Sequence, residues 1–376
     1  MASVAATGQA PVVKEPLVRV VRRDTIPLWQ NIMHRVIAVV LALVVSGLFI
    51  VSISGKNPFE VYGAIFRGAF GTATKAWVTA RDTVMLLCVA VGLAPAFKMK
   101  FWNIGAEGQI LVGGIATAAC LIYLKDLPPV LLFLCIIISS ALAGALWGLL
   151  PALFKSKWNT NETLFTLMMN YVAIQLTSFF VAMWENPKGS NKVGIINPDT
   201  KIGWLPQLFG EGSRDYMINV LIVMALTVGM FIYLKYTKQG YEIAVVGDSE
   251  NTARYAGISV KKVFIRTMII SGAICGLSGF LAVSGSSHTI STNTGGGRGF
   301  TAIIVAWLAK FNTFTMILIS LLIVFLEKGA IQIASDYNLS NDVSDVITGI
   351  ILFFILGSEF FCNYKLVFRH SAKEVK

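Results

Sequence analysis

Apolar residues run along this chain in blocks of about 20, separated by short polar stretches. Blocks of that length read as helices that cross a hydrocarbon core about 30 Å thick. Ten are predicted, over residues 36–53, 83–97, 101–124, 129–151, 163–184, 216–235, 262–284, 299–309, 313–328 and 343–361. The second and eighth are too short to cross as straight helices. Each adjoins a glycine-rich stretch, so each is expected to be broken or re-entrant. The expected fold is all-α: a polytopic transmembrane bundle of about ten spans over 36–361, with cytoplasmic tails at 1–35 and 362–376. The run from Val36 to Ile53 is longer than the apolar core of a signal peptide and has no clear cleavage site, so it reads as a retained helix. The short second span precedes the glycine-rich 103–114, the short eighth follows the glycine-rich 295–299, and an offset of five spans inverts orientation, which suggests an inverted repeat of spans 2–5 and 7–10.

Composition narrows the class. The 376 residues are 55% hydrophobic and 14% charged, against about 25% charged in soluble domains. That excludes a cytosolic enzyme, a nucleic-acid-binding domain and a disordered chain. The net charge of +11 therefore points to the lipid bilayer and not to nucleic acid. With the N-terminus inside, the inside segments carry 20 Lys and Arg and the outside segments 11, which favours both termini in the cytoplasm. Trp77, Trp102, Trp158 and Trp184 sit at span ends, as interfacial Trp do. Five scattered Cys and three scattered His show no metal-ligand spacing.

Polar residues inside apolar blocks are the candidate chemistry. Asn103 and Glu107 share a helix face at the opening of the third span, with Gln109 nearby. Glu107 reads either as a functional carboxylate within a span or as an interfacial Glu paired with Lys98 or Lys100. On the fifth span, Glu162, Thr166 and Asn170 form one stripe that continues through Ala173 and Thr177. That stripe reads either as a cavity lining or as hydrogen-bonding glue between helices. Gly295 to Phe300 (Gly-Gly-Gly-Arg-Gly-Phe) is no Walker A motif, and none occurs elsewhere. It is read as an external turn or a broken helix lining a path. Gly144-Ala-Leu-Trp-Gly148 and Gly272-Ala-Ile-Cys-Gly276 are expected to mark close helix packing.

Two loops are long. Residues 185–215 are expected outside and at least partly ordered. Residues 235–261 are expected inside, where Ser249 caps a two-turn helix over 250–256 that ends at Gly257. A helix so short must pack on something, either this chain's own inner face or a separate subunit for which Arg254 and Tyr255 are suitable anchors.

Four segments carry a family resemblance: 101–109 (FWNIGAEGQ), 161–171 (NETLFTLMMNY), 240–247 (GYEIAVVG) and 253–257 (ARYAG). Together they resemble the permease subunits of bacterial ABC importers for branched-chain amino acids, ribose and nucleosides, and most of all the simple sugar and nucleoside members. The resemblance implies two permeases per complex, expected here as a heterodimer. It also implies a separate ATPase dimer holding ATP and Mg, an external substrate-binding lipoprotein, and location in the bacterial cytoplasmic membrane. No cofactor is expected on this chain, and no catalysis. The resemblance implies a substrate path at Asn103, Glu107, Gln109, Glu162, Thr166 and Asn170, with Phe165 and Tyr171 as nearby aromatics. It implies ATPase coupling through Gly240, Tyr241, Glu242, Gly247, Ala253, Arg254, Tyr255 and Gly257. Purine nucleosides are the first substrates to try, a monosaccharide such as ribose the second. An ion-coupled secondary transporter is the rival class; it would need mid-membrane acids, and Glu107, Glu327 and Glu359 all read as lying toward span ends. Two departures from the family pattern stand out: the bulky Trp307, and Asp248 and Glu250 in the coupling segment.

Overall fold

The computed structural model describes residues 18–23, 27–54, 58–208, 216–338 and 340–368. Residues 1–17 and 369–376 of the two expected tails lie outside the described residues, as do 209–215 of the long outer loop. Thirteen α-helices are described: α1 (Leu28–Ser54), α2 (Pro58–Phe70), α3 (Ala73–Lys98), α4 (Ala106–Tyr123), α5 (Pro129–Trp158), α6 (Glu162–Trp184), α7 (Met217–Tyr236), α8 (Lys238–Asp248), α9 (Glu250–Tyr255), α10 (Val260–Ala282), α11 (Arg298–Leu308), α12 (Thr313–Asp336) and α13 (Asn341–Asn363). A π-turn over Val283–Ser287 prolongs α10. Among the described residues, eight helices are long and apolar enough to cross a membrane. The result is a polytopic helical bundle.

The chain divides into two compact units. The smaller draws on Met1–Lys56 and Val346–Lys376. In it, strands β1 (Val18–Arg22) and β2 (Tyr364–Phe368) pair antiparallel, with Val18 opposite Phe368 and Arg22 opposite Tyr364. This pair brings the two flanks of the helical region together.

The larger unit spans Asn57–Asp345 and is centred on α3, α4 and α10, the most buried of the long helices. The two glycine pairs meet each other, as their spacing predicts: a Cβ on Gly144 would strike the Gly272 carbonyl, and one on Gly276 the Ser140 carbonyl. Backbone contact of this kind joins α5 to α10. Helix α10 packs against α4 and α5, while α3 packs against α11 and α12. That exchange of partners is what an inverted repeat relating α3–α6 to α10–α13 produces.

One expected span is corrected. The block at 83–97 belongs to the 26-residue helix α3, a full-length span. Its first turns, residues 73–82, fall outside the apolar block because they carry Lys75, Thr79, Arg81 and Asp82. Helix α11 is short, as expected. Its 11 residues reach about 16 Å at 1.5 Å per residue.

Candidate translocation site

Helix α3 ends at Lys98, and the chain runs without helix through 101–104 before α4 begins at Ala106. Asn103 is fully buried there. Its Oδ1 accepts the Gly105 amide at 3.1 Å, and its Nδ2 donates to Ser271 Oγ at 3.3 Å and to Gln109 Oε1 at 3.4 Å. The bond to Ser271 sets the depth. Ser271 lies 11 residues into α10, or about 17 Å along it, so α4 starts well inside the bundle. A helix start in that position leaves several amides without intrahelical partners, and α6 supplies them. Thr166 Oγ1 accepts from the Ile104 amide at 3.1 Å, and Asn170 Oδ1 accepts from the Gly108 amide at 2.8 Å. Asn170 Nδ2 donates to the Ile104 carbonyl at 2.9 Å. The α6 stripe thus ties the start of α4 in place. The indole nitrogen of Trp147 is buried beside Gly108 and unpaired.

The structure gathers Asn103, Gln109, Thr166 and Asn170 into one network, but not the other stripe residues. Glu162 pairs with Lys155 at 2.9 Å, at the turn between α5 and α6. Phe165 packs on Phe154, with ring centroids 4.8 Å apart. Tyr171 is 59% exposed. The cause is the turn of the helix: 165 and 171 stand about 100° to either side of 166 and 170.

Glu107, in the first turn of α4, faces the start of α11. It pairs with neither Lys98 nor Lys100. Its Oε1 accepts the Gly297 amide at 2.9 Å and its Oε2 the Gly299 amide at 2.8 Å. Gly297 has φ +73°, the left-handed region that glycine favours. A Cβ on Gly299 would approach the Glu107 amide to 2.5 Å, so side chains are excluded where the two helix starts meet.

Beside this junction lies a cluster that sequence reasoning missed. The buried Asp82 accepts from Arg81 at 2.8 Å, from Arg298 at 3.3 Å and from Lys328 at 2.5 Å. Asp82 stands about 14 Å along α3 from Ala73, and Lys328 about 12 Å along α12 from Asp336. Charges at such depth are costly, and mark pathways or pair with one another. A signal was present in the sequence. Asp82, Arg298 and Lys328 each sit at or one residue beyond the edge of a predicted block, and two of those blocks were too short to cross.

At the opposite end of α3 the α8–α9 loop is built on close approaches. A Cβ on Gly247 would strike the Lys98 carbonyl, and one on Gly240 the Tyr233 carbonyl. Both glycines lie inside α8, a helix the sequence pattern did not reveal. Glu242 pairs with Arg266 of α10 at 3.0 Å. Ser249 caps α9 by accepting from the Thr252 amide at 3.2 Å, and Gly257 turns the chain with φ +76°. Ala253 is fully buried, so α9 leans on its own chain. Tyr241 is exposed and Tyr255 is 93% exposed, while Arg254 reaches Glu250 at 3.0 Å. A cavity of about 500 Å³ beside α9 is lined by Lys155, Lys157, Arg254 and Lys261, among others.

Two helices that start inside a polytopic bundle and face each other across a buried carboxylate are an arrangement that membrane transporters use. Residues 78–356 match the family described as the permease component of the branched-chain amino acid transport system, and the chain belongs to that family. It is 29% identical to the guanosine ABC transporter permease protein NupP of Bacillus subtilis, over 86% of this chain and 92% of that one. It is 28% identical to the glucose ABC transporter permease protein TsgB13 of Haloferax volcanii, over 92% of each. It is 26% identical to the nucleoside ABC transporter permease protein NupB of Lactococcus lactis, over 87% of this chain and 91% of that one. No solved structure matches the chain significantly.

Proposed function

We propose that this chain is the membrane-spanning permease of an ATP-driven importer and forms the path for nucleosides, purine nucleosides foremost. The observation that carries this reading is similarity along most of the chain to permeases named for guanosine and for nucleosides. The chemistry around Asn103, Gln109, Thr166 and Asn170 agrees with it. These groups are neutral amides and hydroxyls that brace the start of α4, so they set no fixed charge beside a neutral ligand. A monosaccharide is the second reading, favoured by the relative named for glucose.

In this reading ATP and Mg sit on separate ATPase subunits that dock at Arg254 and Tyr255. A second permease completes the path, and an external lipoprotein delivers the ligand. Substrate passes beside the two buried helix starts, with the α8–α9 end in the cytoplasm of a bacterial cell. The strand pair between 18–22 and 364–368 supports both chain flanks lying on one side.

The ion-coupled rival gains two deep acids, since Glu107 and Asp82 both lie within the bundle. Both are already engaged, Glu107 by two amides and Asp82 by three cations. Neither is poised to bind a driving ion.

The test is uptake of labelled guanosine, adenosine and ribose by the reconstituted complex with its ATPase and binding protein. ATP-dependent guanosine uptake is expected. Ribose uptake without any nucleoside uptake would replace the substrate and keep the importer. Uptake that needs no ATPase would remove the importer reading.

A further inference from the structure

Trp102 and Trp307 are brought together from two of the structural irregularities described above. Trp102 lies in the non-helical stretch that leads into α4, and Trp307 lies in the last turn of α11. Their rings stack with centroids 5.4 Å apart and planes 25° apart. Phe97, from the last turn of α3, stands edge-on to both, at 5.7 Å from Trp102 and 6.5 Å from Trp307. Phe311 stands edge-on to Trp307 at 5.7 Å. Phe97 is buried, so the pair has a fixed backing. The two indoles are not: Trp102 is 42% exposed and Trp307 44%, while their neighbours Phe101, Asn103, Ala306 and Leu308 are buried.

Lipid is a poor match for this open face. Irregular backbone at membrane depth is tolerated only where protein covers it or where it lines a watery cavity. Trp102 belongs to such a stretch, and the next residue, Asn103, is already level with Ser271, about 17 Å into the bundle along α10. The indoles therefore face a covering chain or the watery path. Their place along it follows from α8, where Gly247 lies against the carbonyl of Lys98, one residue beyond Phe97. Gly247 sets the backing residue Phe97 toward the α8–α9 end, while Trp102 adjoins the deeper Asn103, so the platform lies on the inner half of the path.

We infer that Trp102 and Trp307 form the platform on which the base of the transported nucleoside stacks near the inner end of the path. The inference rests on the nucleoside reading and deepens it. A flat base is the part of the substrate that would extend this stack, on the outer face of one indole. Stacking of a base on an aromatic side chain contributes about 1–3 kcal/mol and tolerates every base. A platform of this kind would hold adenosine and guanosine alike, and would hold a free pentose weakly.

The experiment uses the complete complex in liposomes, with Trp102→Ala, Trp307→Ala and Trp307→Phe, and recovery of the ATPase with the permease as the assembly control. Each alanine variant is expected to lower guanosine uptake roughly tenfold, the effect of about 1.4 kcal/mol. Trp307→Phe, which keeps a ring, should recover most of the loss. A second measurement needs no damaging variant. In the complex labelled with 5-fluorotryptophan, guanosine should shift the fluorine resonances of positions 102 and 307, assigned with Trp→Phe variants, and ribose should not. Wild-type guanosine uptake that persists undiminished in both alanine variants, or resonances that stay still with guanosine, would overturn the platform and leave the nucleoside reading intact. Equal shifts from ribose would overturn the role of the base. Wild-type uptake of ribose but of no nucleoside would remove the substrate reading and the platform with it. If an alanine variant fails to recover its ATPase, the fluorine result decides.

Discussion

Asn170 shows how one side chain can look like a ligand contact and act as scaffold. Its amide serves the Gly108 N–H and the Ile104 carbonyl, both buried at the start of α4. Asn170→Leu leaves both unpaired, at about 1–3 kcal/mol each. The expected outcome is a loss of folded protein as well as of uptake. Thermal unfolding of the purified variant, compared with uptake per folded molecule, separates the two. A second residue carries a pH dependence. His288 stacks on Trp204 at 3.7 Å where the outer loop meets the end of α10, and burial depresses its pKa to about 4 from 6.5. Its folded pKa lies below the unfolded one, so the packing it stabilises is complete above about pH 6.5 and is lost as pH falls toward 4. The protection of the Ile196 amide, bonded to the His288 carbonyl at 2.8 Å, should fall over that window once exchange is corrected for its intrinsic pH dependence. His288→Phe should flatten the profile.

Helix α9 has six residues, too few to hold in water without support. Ala253 and the Ser249 cap supply that support from its own chain, which leaves Tyr255 and the Arg254–Glu250 pair on the surface. Tyr255→Ala and Arg254→Glu should therefore fold normally, because an exposed ring and an exposed ion pair contribute little to stability. Both should recover less ATPase and show less uptake. Unchanged recovery in both would make α9 a connector. At this scale the sequence was legible wherever periodicity and caps agree, as for α5, α6, α9 and the Gly144–Gly276 contact. It was least legible where tertiary contacts neutralise polar residues. The first turns of α3 look like a loop because Arg298 and Lys328, partners that hold Asp82, lie 216 and more positions away. Helix α8 was hidden because glycine inside a helix lowers its propensity, whereas Gly240 and Gly247 allow close backbone approach there. The site divided in the same way. Glu107 and Asn103 stood out as polar residues inside an apolar block, but their partners at 271, 297 and 299 belong to the other half of the chain.

For the whole molecule, the Lys and Arg bias and the paired flanking strands support one orientation, and cysteine labelling checks it. With the five native cysteines replaced, Lys188→Cys should react with a membrane-impermeant reagent in intact cells, and Thr252→Cys should react only after lysis. The reverse pattern would invert the molecule.

The meeting of α4 and α11 has a consequence for electrical insulation. Each helix start carries about half a positive charge, and the two lie together beside Arg81, Arg298 and Lys328, against the carboxylates of Asp82 and Glu107. The local excess is positive. Positive helix ends and a fixed arginine form the kind of barrier that turns back protons and metal cations in water channels. A neutral solute crosses such a field with little penalty, whereas a proton does not. Arg298→Ala should raise the passive proton permeability of liposomes holding the complex, read with an entrapped pH dye, even when no substrate is present.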